Sequence, residues 1–311
     1  LANWGAAVSA LAEHAARYIA LRRSLGFKMS EPSRVLEDLV AFVNRAGQEH
    51  LSVAGVLNWA EPARTPGAYA RRLSVARRFA QYLAVFDSQS EVPSPRLCST
   101  GQSRRAPYIY TPGEVAGLMR AAQDLEGELW ASSVSTLIGL CAATGARPGE
   151  AYRLRVVDVD LDISTLSVMQ SKGGRSRLLP LHTSTAGALG RHLRLRTGQH
   201  LGHDNLFVSP TGRPLRSGDF SRTFRELCQE VGIGTAPGGS PARLGDLRHS
   251  FAVSTLVDWH RGGADVACLL PVLSAYLGHL RPANTYWYLQ AVPELMALAA
   301  ERLGETWEAA P

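Results

Sequence analysis

The sequence predicts a mainly α protein with a small antiparallel β-sheet, divided into two domains. Three observations predict it. The chain has 311 residues, more than one ordinary domain. Apolar residues recur at helical spacing along most of it, with period-two alternation confined to short runs between 155 and 181. A stretch rich in Pro, Ser, Gly and Arg, residues 88–107, breaks every periodicity and reads as a linker. With 45% hydrophobic residues each domain can bury a core, and 19% charged residues is too few for a disordered chain.

Residues 1–87 read as helices. Leu11, Ala15, Tyr18 and Ile19 mark one apolar face, and Leu36, Leu39, Val40 and Val43 a second. A third covers Gly67 to Val85, with Leu73, Ala76, Phe79, Ala80 and Leu83 on one side. Arg71, Arg72, Arg77 and Arg78 crowd that helix, either as a solvated charged face or as contacts to a phosphate backbone. After the linker, Thr111 is placed to cap a helix whose first turn holds Pro112. Helices are expected near 112–124, 130–144, 183–196, 218–230, 246–260 and 266–278, with a last one over 293–303. Strands are expected at 155–159, 164–170 and 176–181.

The formal charge of +6 and pI of about 9.4 suit a polyanionic partner, although charge alone is weak evidence. Only Lys28 and Lys172 are lysines among 33 basic residues, so a lysine here invites a reason. Cys98, Cys141, Cys228 and Cys268 form no C-x-x-C pair and read as reduced, mostly buried residues. No apolar run matches a membrane span and no signal peptide is evident, so a cytoplasmic location is expected. Gly232 and Gly234 begin a G-x-G, but Pro237 occupies the third glycine position and no strand precedes it. His249, His260 and His279 lack zinc-like spacing. No metal and no cofactor is implied.

Four local signatures remain. Thr144-Gly145-Ala146-Arg147-Pro148-Gly149-Glu150 follows an apolar helix and places Arg147 on a turn. Lys172-Gly173-Gly174 lies between two strands, at a hairpin tip. Gly245-Asp246-Leu247-Arg248-His249 opens a helix whose apolar face holds Leu247 and Phe251, leaving Arg248 and His249 off it. Leu277-Gly278-His279 ends a helix, and Tyr288 follows nine residues after His279. Each is weak alone; their order and spacing together are strong.

In these motifs the sequence resembles the tyrosine recombinase, or phage integrase, family. That family carries T-G-x-R-x-x-E, a hairpin K-G-G, H-x-L-R-H, L-G-H and a tyrosine nine residues beyond. The match covers most of 108–295, and the Thr285-Tyr286-Trp287-Tyr288 ending looks like transposon-borne members. The resemblance implies a catalytic domain over 108–311 and, by size and position, a helical core-binding domain over 1–87. It implies duplex DNA as partner, cut and rejoined through a 3′-phosphotyrosyl link, and a tetramer on two duplexes. The implied catalytic residues are Arg147, Lys172, Arg248, His279 and Tyr288. Tyr286 is the rival nucleophile, disfavoured by spacing. Gly245 stands where the family has its first histidine, which implies a weakened site. DNA contacts are expected from Arg71, Arg72, Arg77, Arg78, Arg104, Arg105 and Gly173, with the two domains clamping the duplex. The apolar residues Leu295, Met296, Leu298 and Leu303 suggest docking of the last helix on a neighbouring copy, with packing in cis as the alternative. The alternatives are a type IB topoisomerase-like relaxase and a DNA-binding member impaired by Gly245.

Overall fold

A computed structural model of the chain describes residues 9–98, 106–169, 176–279 and 285. The chain separates into two units, Leu1–Arg104 and Arg105–Pro311.

Among its described residues the first unit holds four α-helices: α1 Ala10–Ser24, α2 Ser30–Arg45, α3 Val53–Ala60 and α4 Pro66–Leu83. Ser9, Ser52 and Thr65 cap α1, α3 and α4 by accepting from the backbone amide three positions on, each cap contributing about 1 kcal/mol. Leu36, Leu39, Val56, Leu73, Phe79 and Leu83 interlock in its core. The short α3 went unrecognised in the sequence, because eight residues give barely two turns of periodicity. Residues 88–98, linker-like in composition, are strapped onto this unit. Glu91 donates its amide to the Leu51 carbonyl, Leu51 donates to Ser90 Oγ, and Arg77 donates to the Pro93 carbonyl.

The second unit is mainly helical with a small antiparallel sheet. Its helices are α5 Pro112–Ala121, α6 Glu128–Thr144, α7 Pro148–Ala151, α8 Thr183–Thr197, α9 Ser217–Glu230, α10 Leu247–Arg261 and α11 Val266–Leu277. Thr111 and Glu114 form the capping box that starts α5. The apolar α6 is buried on nearly all sides and packs against α5, α8 and α10. Strands β1 Val159–Asp160, β2 Thr165–Val168 and β3 Arg177–Pro180 form the sheet, pairing Leu166 with Leu179 and Val168 with Arg177. Residues 156–158, expected in a strand, are a 3-10 turn instead. Asp158 accepts from the Arg155 amide and holds the turn closed, a local bond that overrides the Val-Val β-propensity. A second small hairpin, β4 Thr235–Ala236 with β5 Ser240–Pro241, was not anticipated. Cys141 and Cys228 are buried as expected, whereas Cys268, on the solvent side of α11's first turn, is exposed.

Candidate active site

Two helix ends build the site. α6 stops at Gly145, which adopts a left-handed φ of 59°. α11 stops at Gly278, with φ 66°. Both need glycine. A Cβ on Gly145 would lie 2.7 Å from Phe251 Cδ1 and 2.9 Å from Leu277 Cδ2, so the two helix ends and α10 meet without a side chain between them.

A helix end leaves carbonyls unpaired and carries partial negative charge. Three arginines answer that charge here. Arg248, from the first turn of α10, donates Nη1 to the Gly145 carbonyl at 2.8 Å and Nη2 to the Leu277 carbonyl at 2.6 Å. Arg147, just before α7, donates Nη2 to the Gly278 carbonyl at 3.0 Å. Arg177, at the start of β3, donates Nε to the Tyr276 carbonyl at 3.0 Å. Arg248 is buried although its neighbours Leu247 and Phe251 form the apolar face. Its side chain runs inward because those carbonyls satisfy it. Arg147 keeps about a quarter of its side chain exposed (26%) and can face a ligand.

Glu150 links two of these arginines. Its Oε1 accepts from Arg147 Nη1 at 2.8 Å and Arg177 Nη1 at 3.2 Å; its Oε2 accepts from Arg177 Nη2 at 2.7 Å and the Arg147 amide at 3.2 Å. Burial alone would raise its carboxyl pKa, but the hydrogen bonds from Arg177 and Arg147 and the charge of Arg177 outweigh it and hold the value at about 2. His279 follows Gly278, and its Nδ1 shares a 2.8 Å hydrogen bond with Thr285 Oγ1. Thr285 is buried and lies three positions before Tyr288 in sequence.

Arg147, Arg248 and His279, 132 residues apart from first to last, are thus gathered at residues 277–279. Gly245 sits in a 3-10 turn immediately before α10, and among the described residues a Cβ there would meet only Pro148 Cγ, at 3.9 Å. Lys172, Gly173, Tyr286, Tyr288, Arg104, Arg105 and the 293–303 helix lie outside the described residues. Arg71, Arg72, Arg77 and Arg78 lie on α4 of the first unit. Arg71 pairs with Glu31, Arg72 with Asp38 and the Trp59 carbonyl, and Arg77 with the Pro93 carbonyl, while Arg78 is exposed. Two participants escaped the sequence reading, Arg177 and Thr285. Arg177 carried a signal: it shares the inward-facing register with buried Leu179 and Leu181, where an arginine needs a partner. Among the described residues no group of three His, Cys, Asp or Glu side chains is arranged for a metal, and no helix is long and apolar enough to cross a membrane.

The fold is shared with solved structures at low sequence identity. The Tn1549 transposon integrase, solved with transposon right-end DNA, superposes with a TM-score of 0.65 at 16% identity, covering 94% of this chain and 99% of that one. A lambda integrase dimer bound to a core site gives 0.57 at 18% identity, over 89% of this chain and 94% of that one. In sequence, the chain is 38% identical to the y4rB protein of Sinorhizobium fredii, which bears the name of an integrase/recombinase, over 94% of this chain and 96% of the relative. It is 30% identical to the tyrosine recombinase XerD of Ralstonia nicotianae, over 72% of this chain and 69% of the relative. Residues 110–294, the stretch that holds every element of the arginine cluster, match the phage integrase family model. With that match, and with relatives named as integrases and tyrosine recombinases along most of its length, the chain belongs to the phage integrase family, the tyrosine recombinases.

Proposed function

We propose that the chain is a site-specific DNA recombinase that breaks and rejoins duplex DNA through a 3′-phosphotyrosyl intermediate on Tyr288, serving integration, excision or transposition of a mobile element. The observation that carries this reading is the meeting of Arg147 and Arg248 with His279 at the end of α11. Displacement at a phosphodiester concentrates negative charge on the non-bridging oxygens. Two permanently charged, planar donors held beforehand by fixed carbonyls suit that charge and need no reorganisation.

In the proposed reaction the Tyr288 oxygen bonds to phosphorus as its proton passes to solvent water, and the bond to the 5′-oxygen breaks. Lys172 protonates the leaving oxygen, a task for an ammonium rather than a guanidinium. A 5′-hydroxyl from a second strand then attacks the phosphotyrosyl link, restoring the phosphodiester and the tyrosine, so bond energy is conserved without ATP. His279, its ring oriented by Thr285, donates to the phosphate. The Tn1549 integrase was solved in complex with transposon right-end DNA and the lambda integrase dimer bound to a core site, which supports DNA as the partner.

The test uses nicked duplexes tiled across the DNA flanking the chain's own gene. A detergent-resistant protein–DNA adduct is expected for the wild-type chain, forming far more slowly in Arg147→Ala and in Arg248→Ala. Adduct formation undiminished in both variants would refute the reading.

A further inference from the structure

We propose that Arg177 is a positioning residue for Arg147, one that keeps Glu150 from neutralising it. The proposal deepens the function proposed above and rests on it.

The geometry is that of a shared carboxylate. Glu150 accepts four hydrogen bonds on two oxygens, two from Arg177 and two from Arg147, one of the latter from the backbone. The Arg147 side chain therefore reaches only Oε1, and its Nη2 turns to the Gly278 carbonyl. Without Arg177, Oε2 would offer an open acceptor edge. A guanidinium beside an open carboxylate closes into a two-bond fork. Arg147 would then rotate onto Glu150 and leave Gly278.

Charge gives the same answer. Arg147, Glu150 and Arg177 together carry one net positive charge, whereas Arg147 with Glu150 alone carries none. The buried carboxylate is nearly inaccessible to water, its side chain 3% exposed, so solvent screens this difference poorly. Arg177 is itself fixed at both ends. It starts β3, donates to the Tyr276 carbonyl, and lies against Gly278, where a Cβ would come within 3.1 Å of its Nη1. The strand thus holds Arg177, Arg177 holds Glu150, and Glu150 holds Arg147. None of these contacts requires Arg177 to touch DNA.

A double-mutant cycle tests the proposal. Single-turnover adduct formation is measured on a nicked duplex for the wild-type chain, Arg177→Gln, Arg147→Ala and the double variant, with DNA affinity and thermal melting recorded for each. Arg177→Gln should slow cleavage about tenfold to a hundredfold. In the Arg147→Ala background the same change should cost less than about threefold, because nothing remains to be positioned. A merely structural residue would give equal losses in both backgrounds, and that result would overturn the proposal. If Arg177→Gln does not fold, Arg177→Lys, which keeps the charge but loses the fork, replaces it in the cycle. Adding Glu150→Gln to the Arg177 variant should restore part of the rate, since the neutralising charge is then gone; no restoration also counts against the proposal. A normal rate for Arg147→Ala would instead indict the proposed function. A slow Arg147→Ala with full additivity would sink this inference alone.

Discussion

Arg248 Nη1 donates to the Gly145 carbonyl at 2.8 Å, so the second arginine is held by the residue that ends the helix delivering the first. Gly145 thereby has two duties, a left-handed turn and a contact with no room for a methyl group. Gly145→Ala should destabilise the second unit by about 2–3 kcal/mol, from positive-φ strain plus the clash with Phe251 and Leu277. Denaturant melts of the two proteins check this. Unchanged midpoints would mean that the helix ends can part freely.

Gly245→His should speed cleavage or rejoining. Glycine supplies neither donor nor base, and general acid–base help contributes about a hundredfold or more. The turn accepts a side chain, since among the described residues the nearest atom to a Cβ is Pro148 Cγ at 3.9 Å and φ is not left-handed. Single-turnover cleavage and ligation on a nicked substrate decide it. Equal rates in both variants would show that position 245 is not the missing catalytic group.

Acid should weaken the cluster through Glu150. Folding lowers its carboxyl pKa from 4.5 to about 2. Such a group stabilises the native state above its unfolded pKa, and the contribution disappears as pH falls through the folded value. The window is therefore pH 4.5 down to about 2. Glu150→Gln should cost about 3 kcal/mol at neutral pH, and the gap to wild type should close across that window. A gap constant from pH 7 to pH 2 would contradict the assignment.

Much of this was legible in the sequence because spacing along a helix is a local property. The caps at Thr111, the helix ends at Gly145 and Gly278, and the motif arginines all follow from residues within a turn or two. Arg177 and Thr285 were harder to see because their meaning is tertiary. Arg177 acts on Glu150, 27 positions earlier in the chain, and on Tyr276, 99 positions later. The inward register of β3 hinted that Arg177 is buried, but only the folded chain names its partner. Likewise, the composition of 88–98 says loop, while the Glu91 amide donates to the Leu51 carbonyl, the Glu91 carboxylate accepts from the Val53 amide that starts α3, and the Pro93 carbonyl accepts from Arg77 on α4, bonds that no local pattern encodes.

We propose that residues from Val292 onward dock on a second copy of the chain. Leu295, Met296, Leu298 and Leu303 recur at helical spacing in the sequence, and among the described residues the second unit carries an apolar groove of about 550 Å³ among α5, α6, α8 and α10, lined by Val115, Met119, Leu140, Ala188 and Phe251. Head-to-tail docking of this type closes into rings. Truncation at Val292 should abolish assembly on paired duplexes while leaving binding to one duplex intact, and Ala116→Arg in the groove should do the same. Undisturbed synapsis after truncation would rule the docking out.

The nucleophile is tested most directly by mapping the covalent adduct. Wild type, Tyr288→Phe and Tyr286→Phe are each incubated with a nicked duplex and denatured, and the adduct is digested and sequenced. Phenylalanine keeps the ring and deletes only the attacking oxygen. The account predicts adducts in wild type and Tyr286→Phe, attached at Tyr288, and none in Tyr288→Phe. An adduct that persists in Tyr288→Phe, or that maps to Tyr286, would contradict it.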